Sequence, residues 1–306
     1  MAPTDDRLIF FGTDAFSVPS LVKLIAEGWN VVGVITKPDS QTGRGRELTP
    51  PAVKRLADAQ NIPVLQPAKL RDASDAIQKL APDAGIVVAY GKIIPGLVLD
   101  LFPKGLINVH ASLLPRYRGS SPIEAAILNG DDETGITLMR LERGMDTGPT
   151  YDQEKLQLSG TETKPSLYEK LSDMGALRLS AKLPGILSGT ISPIPQDSAR
   201  ATSVTLLTKA DGHIDWSKPA TILERETRAY LGWPGSRTDI AGIDTIITQA
   251  HLGPHDGKPG TAYVTPSSEL AIYAGSGSLV IDRLKPAGKR EMAGPEFLAG
   301  HPLSQK

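Results

Sequence analysis

Residues 106–148 decide the fold, and they read LINVHASLLPRYRGSSPIEAAILNGDDETGITLMRLERGMDTG. The apolar run 106–110 is typical of a buried strand in a parallel sheet. It carries Asn108 and His110, which point to the same face because side chains alternate along a strand. A buried polar group without a partner costs about 1–3 kcal/mol, so two of them near a strand end indicate a function. Since ligands bind outside the carboxyl ends of such strands, we expect both residues to border a site.

The segments after this strand predict a loop, a helix and a second strand. Pro and Gly in SLLPRYRG, residues 112–119, favour a loop. The sequence SSPIEAAIL, residues 120–128, predicts a helix that the following Asn-Gly ends. Residues 135–141 predict a strand. Asp146 then lies in GMDTG, a loop whose glycines allow the backbone to come close to a ligand.

Asn108, His110 and Asp146 could form one compact polar site. Asn donates hydrogen bonds, His transfers protons near neutral pH, and Asp orients an imidazole and stabilises its positive charge. The sequence has no Cys, and no Ser is clearly placed as a nucleophile. The three residues therefore predict a site that stabilises an oxyanion and transfers protons while the substrate supplies the nucleophile. Taken singly, each has a structural alternative: a turn cap, a hydrogen-bonded core histidine and a turn residue.

The pattern N-x-H-x-S-L-L-P-R-Y-R-G-x-x-P beginning at Asn108, followed by D-x-E-T-G-I-T and G-M-D-T-G, resembles the folate-dependent formyltransferases. This pattern is rarely met by chance, and IDW, the WP turn and PAGKR extend the resemblance over nearly the whole chain. The resemblance implies 10-formyltetrahydrofolate as the formyl-donor substrate and Asn108, His110 and Asp146 as catalytic residues. The folate-binding residues it implies are Ser112, Leu113, Leu114, Pro115, Tyr90 and Gly91. One departure is the first turn, GTDAFS, where the family usually has Pro after Thr.

The resemblance also implies a tRNA substrate. Residues 37–54 contain four cations and few large apolar side chains, which predicts an exposed, mobile loop. A solvated insertion is one interpretation, and the resemblance implies another, a basic arm that enters the acceptor end of tRNA with Arg44 at a functionally important position. The basic turn in PAGKR is either a solvated face or a phosphate contact. The residues expected to bind tRNA are Arg44, Arg46, Lys37, Lys285, Lys289 and Arg290.

The basic arm and GMDTG favour initiator methionyl-tRNA as the acceptor, formylated on the α-amino group of methionine for translation initiation. A sugar-nucleotide amine is the alternative acceptor within the same enzyme class. An RNA-binding protein with an inactive enzyme core is the alternative from another class. The presence of Asn108, His110 and Asp146 argues against an inactive enzyme core.

Composition excludes several other functions. The 306 residues are 40% hydrophobic and 22% charged, and a net charge of −1 gives no bulk attraction to nucleic acid. The chain has no Cys and its five His lack metal-binding spacing, so no metal is expected. The first turn lacks the glycines of G-x-G-x-x-G, which argues against NAD or FAD. Without a membrane-length apolar run or a signal peptide, we expect a soluble, cytoplasmic protein, and a monomer.

The order of elements predicts an α/β fold, with a Rossmann-like, mostly parallel sheet followed by a small β-barrel. Residues 85–90 are predicted as a central strand and 151–158 as an edge strand. Residues 164–187 predict a long helix that Pro184 bends or ends. The apolar stripe predicted for this helix comprises Leu167, Leu171, Met174, Leu177 and Leu187.

Short β-rich runs separated by turns follow from residue 238 onward, and they indicate an OB-like barrel. We therefore predict a formyltransferase catalytic domain at 1–189, a linker at 190–208 and an OB-like tRNA-binding domain at 209–306.

Overall fold

The computed structural model describes residues 5–42 and 47–303. The predicted tRNA contacts Arg44 and Arg46 lie outside these residues. The chain divides into two compact units. The first comprises Met1–Pro122, Glu133–Gln157 and Tyr168–Val204, and the second comprises Ile123–Asp132, Leu158–Leu167 and Thr205–Lys306.

The strands and helices of the described residues are numbered here in chain order. The strands are β1 (Leu8–Gly12), β2 (Val31–Ile35), β3 (Ser40–Thr42), β4 (Glu47–Thr49), β5 (Val64–Leu65), β6 (Ala84–Val88), β7 (Leu106–His110), β8 (Arg118–Gly119), β9 (Glu133–Arg140), β10 (Thr150–Gln157), β11 (Ser203–Val204), β12 (Ser236–Ile240), β13 (Ile243–Gly253), β14 (Ala262–Val264), β15 (Leu270–Tyr273), β16 (Ser278–Pro286) and β17 (Met292–Ala293). The helices are α1 (Val18–Ala26), α2 (Ala52–Ala59), α3 (Ser74–Lys79), α4 (Gly96–Leu99), α5 (Pro122–Asn129), α6 (Lys164–Leu187), α7 (Ala220–Ala229) and α8 (Gly294–Gly300).

The first unit is built on a sheet with the order β10-β9-β7-β6-β1-β2-β5. The strands from β5 to β7 in this order pair in parallel, while β9 and β10 pair antiparallel. The segments LIFFG, AGIVV and LINVH of β1, β6 and β7 are buried at every position, which is why they are almost continuously apolar. The predicted α/β fold is confirmed, with β6 in the centre and β10 at an edge.

The carboxyl ends of β1, β6 and β7 lie side by side because these neighbouring strands are parallel. β6 and β2 pair with opposite edges of β1, so the strand order reverses there. Open α/β sheets bind ligands at such a reversal. The segments that follow these strands, including the loop after His110, therefore meet at one edge of the sheet.

Two details of the first unit differ from the predictions. The loop predicted after β2 contains an antiparallel pair, β3 with β4, before α2 begins at Ala52. Along α6, Leu179 and Leu183 are buried, but Leu177 is 61% exposed, so its place in the apolar stripe was wrong. Leu177 is six positions after Leu171, which turns it roughly 240° around the helix and away from the buried face.

The segment predicted as a linker is hydrogen-bonded to the first unit along much of its length. β11 pairs in parallel with β8, and Ile194 exchanges two backbone hydrogen bonds of 2.8 Å with Thr150. Gly119 of β8 permits this pairing, because a Cβ at that position would lie 2.1 Å from the carbonyl oxygen of Val204. The exact domain boundaries stay a prediction.

The second unit contains an antiparallel sheet with the order β12-β13-β16-β15-β14, with β17 on β16. It forms a curled half-barrel, which confirms the small β-barrel predicted for this part of the chain. The helices α7 and α8 belong to the same unit, and Leu223 and Phe297 from them join its buried core with Leu284 of β16. No helix among the described residues is long and apolar enough to cross a membrane.

Candidate functional site

Asn108 and His110 lie on β7, and both side chains are buried. β7 is hydrogen-bonded to β6 on one side and to β9 on the other, which fixes its main chain. In this register Asn108 lies opposite Met139 and His110 opposite Thr137. Within the part of the chain that the structure describes, the Asn108 side chain makes no hydrogen bond. Its amide can therefore donate to a ligand.

His110 is contacted at both ring nitrogens. The Nε2 atom lies 2.9 Å from the carbonyl oxygen of Tyr117. The Nδ1 atom lies 3.6 Å from Oδ2 of Asp146. A carbonyl oxygen only accepts hydrogen bonds, so Nε2 carries a hydrogen and donates it to Tyr117. In the neutral ring the lone pair is therefore on Nδ1, the nitrogen that faces the carboxylate.

Asp146 is fixed through its side chain and its backbone. Its Oδ2 atom accepts a hydrogen bond of 2.8 Å from the backbone N–H of Gly119. Its carbonyl oxygen accepts a hydrogen bond of 2.8 Å from Gln196. The residue has φ of 51°, a left-handed conformation that costs an L residue roughly 1–2 kcal/mol. These contacts hold the GMDTG loop in a shape that turns the carboxylate toward His110.

Gln196 and Thr202 are residues near the site that sequence reasoning missed. Gln196 lies between the Asp146 loop and Arg118, and Thr202 accepts a hydrogen bond of 2.9 Å from the N–H of Tyr117. Both come from the segment predicted as a linker. Their contacts are largely with backbone atoms, which leave no pattern in the sequence, so no signal there could have found them.

Thr137 of β9 forms hydrogen bonds with the loop after β7 that is predicted to bind folate. The Thr137 hydroxyl donates to the carbonyl of Ser112 at 2.6 Å and accepts from the N–H of Leu114 at 3.1 Å. Gln153 of β10 donates to Thr137 and to the carbonyl of Leu114, at 3.0 and 2.7 Å. The Ser112 hydroxyl is used within the loop, donating to Arg116 at 2.6 Å. Leu113 and Pro115 are partly exposed and can face a ligand.

The predicted folate segment at Tyr90 and Gly91 follows β6. The Tyr90 ring packs in the core against Phe11, and burial raises the pKa of Tyr90 to about 12, so its phenol stays neutral. Only the backbone of this residue can reach a ligand, and its carbonyl accepts a hydrogen bond of 2.9 Å from Thr13. Gly91 has φ of 67°, and a Cβ there would lie 2.5 Å from Nζ of Lys37. The structure thus brings Lys37, predicted to bind tRNA, next to a segment predicted to bind folate.

The other predicted tRNA contacts of the described residues lie in the second unit. Lys285, Lys289 and Arg290 are exposed at the end of β16 and in the turn after it. Arg290 is paired with Glu296 at 2.5 Å, which offsets part of its charge. No cluster of three or more His, Asp or Glu side chains suited to a metal ion is found among residues 5–42 and 47–303.

On β7, the Asn108 amide can donate to a negatively charged oxygen, and two residues later His110, which faces the Asp146 carboxylate, can transfer protons, as acyl transfer requires. The family comparisons agree with this chemistry. A model described as "Formyl transferase" matches residues 6–182, and one described as "Formyl transferase, C-terminal domain" matches residues 206–302. The chain belongs to the formyl transferase family, which confirms the resemblance predicted from the motif.

Its relatives within this family include proteins named methionyl-tRNA formyltransferase. The one from Trichlorobacter lovleyi is 41% identical over 97% of this chain and 95% of its own length. The one from Myxococcus xanthus is 42% identical over 97% and 96% of the two chains. The one from Chloroflexus aurantiacus is 43% identical over 96% of each.

Solved structures share the fold at low sequence identity. The N-formyltransferase from Helicobacter canadensis, in complex with folinic acid and dTDP-3-aminofucose, has a TM-score of 0.68 and 19% identity over 94% of this chain and 100% of its own. HypX from Aquifex aeolicus, in complex with tetrahydrofolic acid, has a TM-score of 0.68 and 16% identity over 97% of this chain and 48% of its own. At such identities the likeness shows the fold alone.

Proposed function

We propose that this chain transfers the formyl group of 10-formyltetrahydrofolate to the free α-amino group of methionine on initiator methionyl-tRNA, for translation initiation. The observation that carries the proposal is the His110–Asp146 pair beside the uncommitted amide of Asn108 at the carboxyl end of β7. Full-length relatives that are 41–43% identical bear the name of this activity, which supports the choice of acceptor.

The reaction exchanges one nitrogen for another on the formyl carbon. The amine nitrogen of methionine bonds to that carbon, and the bond from the carbon to N10 of the folate breaks. One proton leaves the amine and one reaches N10. A free α-amino group titrates near pH ~8, and esterification of the carboxyl group lowers that value further, so a neutral nucleophile is available without strong activation.

The barrier therefore lies in the charge on the formyl oxygen and in the proton transfers. Asn108 donates a hydrogen bond to the oxyanion that develops when the amine attacks. His110 takes the proton at Nδ1, because Nε2 is already committed to Tyr117. Asp146 stabilises the resulting imidazolium, and His110 then returns the proton to the departing nitrogen.

For the formyl donor we propose contacts from Ser112, Leu113, Leu114, Pro115, Tyr90 and Gly91. Both segments follow neighbouring parallel strands, β7 and β6, so they border the same edge of the sheet as the His–Asp pair. Because the Tyr90 ring is buried, its contribution comes from the backbone. When bound there, the donor supplies a formamide carbon for the amine to attack.

For the acceptor we propose that Lys37, Arg44, Arg46, Lys285, Lys289 and Arg290 bind tRNA phosphates. With a net charge of −1, the chain depends on such local clusters rather than on bulk attraction. Glu296 has to release Arg290 for that residue to take part. We further propose that the protein acts as a monomer in the cytoplasm, where translation initiates.

The test is formylation by the purified chain with 10-formyltetrahydrofolate and initiator methionyl-tRNA, followed as formylmethionine released from the tRNA. Uncharged tRNA and elongator methionyl-tRNA are the controls, and neither is expected to be formylated efficiently. A dTDP-amino sugar tests the alternative acceptor. Preferential formylation of the sugar would overturn the proposed acceptor, and tRNA binding without any turnover would favour an inactive RNA-binding relative.

A further inference from the structure

We propose that Gln196 is a positioning residue for the catalytic pair, which it serves by fixing the backbone on both sides of Thr147 in the GMDTG loop. The inference rests on the proposed catalytic role of Asp146. It assigns a function to a side chain in the segment that precedes β11, outside every motif of the sequence.

Both the nitrogen and the oxygen of the Gln196 carboxamide form hydrogen bonds. Its Nε2 atom donates to the carbonyl oxygens of Asp146 and Gly148, at 2.8 and 2.7 Å. Its Oε1 atom accepts from Nε and Nη2 of Arg118, at 3.1 and 2.8 Å. Carbonyls only accept and a guanidinium only donates, so the orientation of this amide is unambiguous. A glutamate here could keep the Arg118 contact but could not donate to the two carbonyls.

The backbone that Gln196 holds needs support. Asp146 has φ of 51°, a conformation that an L residue adopts at a cost and keeps only where its surroundings enforce it. The same loop must place the Asp146 carboxylate 3.6 Å from His110 while it accepts the N–H of Gly119. Fixing the carbonyl of Asp146 restricts the remaining freedom of this loop.

Arg118, which donates to the Gln196 carboxamide, lies between the residues that contact His110 and Asp146. It precedes Gly119, whose N–H binds the Asp146 carboxylate, and it follows Tyr117, whose carbonyl binds His110. Gln196 therefore connects the loop that carries the acid with the loop that orients the base. Around metal ligands, the loss of a group that orients a functional residue without contacting the substrate typically lowers activity about 10–100-fold, and we expect an effect of the same order here.

The test combines substitutions at Gln196 with Asp146→Asn in single-turnover formylation, with the formyl donor varied up to saturation. Gln196→Met removes the amide at similar volume, and Gln196→Glu keeps only the acceptor toward Arg118. We expect each to lower the rate about 10–100-fold with unchanged KM for the formyl donor, and to change it less than about threefold when Asp146 is already Asn. Gln157→Glu, a change at an exposed edge position of β10, is the matched control.

Two results would overturn the positioning role of Gln196, and a third would overturn the catalytic site on which that role rests. Losses that simply multiply in the double variants would overturn the positioning role, because Gln196 would then act independently of Asp146. Full activity of Gln196→Glu would do the same, since the Arg118 contact alone would suffice. If Asp146→Asn itself has no effect, the proposed catalytic site fails, and that result is distinct from a failure at Gln196. Urea unfolding of each variant separates a loss of folded protein from a loss of rate.

Discussion

The Nδ1 atom of His110 lies 3.6 Å from Oδ2 of Asp146, and that same oxygen accepts the backbone N–H of Gly119 at 2.8 Å. The carboxylate is thus held in place by the loop that also presents the Tyr117 carbonyl to Nε2 of His110. One loop therefore fixes the His110 ring and the Asp146 carboxylate together. The chemistry proposed for the site depends on this arrangement.

Asn108→Ala should lower the single-turnover formylation rate about 10²–10³-fold with the fold intact, because it removes the amide proposed to bind the oxyanion. The measurement is rapid-quench formylation at saturating substrates. Asn30→Ala changes an exposed Asn of the same unit, next to β2, and should retain the parental rate. A near-parental rate for Asn108→Ala would remove this residue from the mechanism.

Asp146→Asn should lower the rate roughly 10²–10⁴-fold, the range for loss of acid–base assistance. Asn tolerates a positive φ and keeps an oxygen for the N–H of Gly119, so stability should change little. Asp146→Ala loses that hydrogen bond as well and should also be destabilised in urea unfolding. Equal rates for Asn, Ala and the parent would contradict a role for the carboxylate.

Thr137→Val should destabilise the protein by about 1–3 kcal/mol and raise the KM for 10-formyltetrahydrofolate. It leaves the buried N–H of Leu114 without its acceptor, and the carbonyl of Ser112 without its donor. Thr137→Ser keeps the hydroxyl and should bind the formyl donor like the parent. Urea unfolding and titration calorimetry with the donor measure the two effects, and identical donor binding by Val and Ser variants would contradict the prediction.

Glu162→Gln should lower the free energy of unfolding by about 1–3 kcal/mol at pH 7, and by less at low pH. Burial alone would raise the pKa of Glu162, but hydrogen bonds from Ser159 and Gly160 outweigh it and lower the pKa below its ordinary value. A lowered folded-state pKa stabilises the fold above the unfolded-state pKa, and this stabilisation is lost as the pH falls through the folded-state value. Urea unfolding from pH 7 down to pH 3 measures the difference between the two proteins. A difference in unfolding free energy that does not change with pH would contradict the lowered pKa of Glu162.

Arg44→Ala should raise the KM for methionyl-tRNA and leave the KM for the formyl donor unchanged. If Arg44 contacts a phosphate, its removal should reduce the salt dependence of tRNA binding by about one unit of slope, so the deficit shrinks as salt rises. Lys289→Ala tests the second unit in the same way, and the exposed Arg71 supplies the control variant Arg71→Ala. A salt dependence equal to that of the parent would place Arg44 outside the contact.

The sequence alone located much of the first unit because its strands are nearly continuous apolar runs. The prediction for β7 coincides with the observed strand, and the polar residues within it stood out for that reason. The apolar stripe predicted for α6 was wrong at Leu177, which is exposed. A pattern of apolar residues gives the period of a helix, but only packing decides which Leu faces the core.

The sequence by itself supplied the candidate residues: Asn108, His110 and Asp146 lie in a long motif, and their side chains predict a hydrogen-bond donor, a base and a carboxylate that stabilises it. Only the tertiary structure decided that Nδ1 of His110 faces the carboxylate and that Gln196 and Thr202 support the loops around it. The physical reason is that these supports act through backbone N–H and C=O groups. Almost every residue has those groups, so which of them meet depends on the path of the chain in space and not on the side chains that the sequence records.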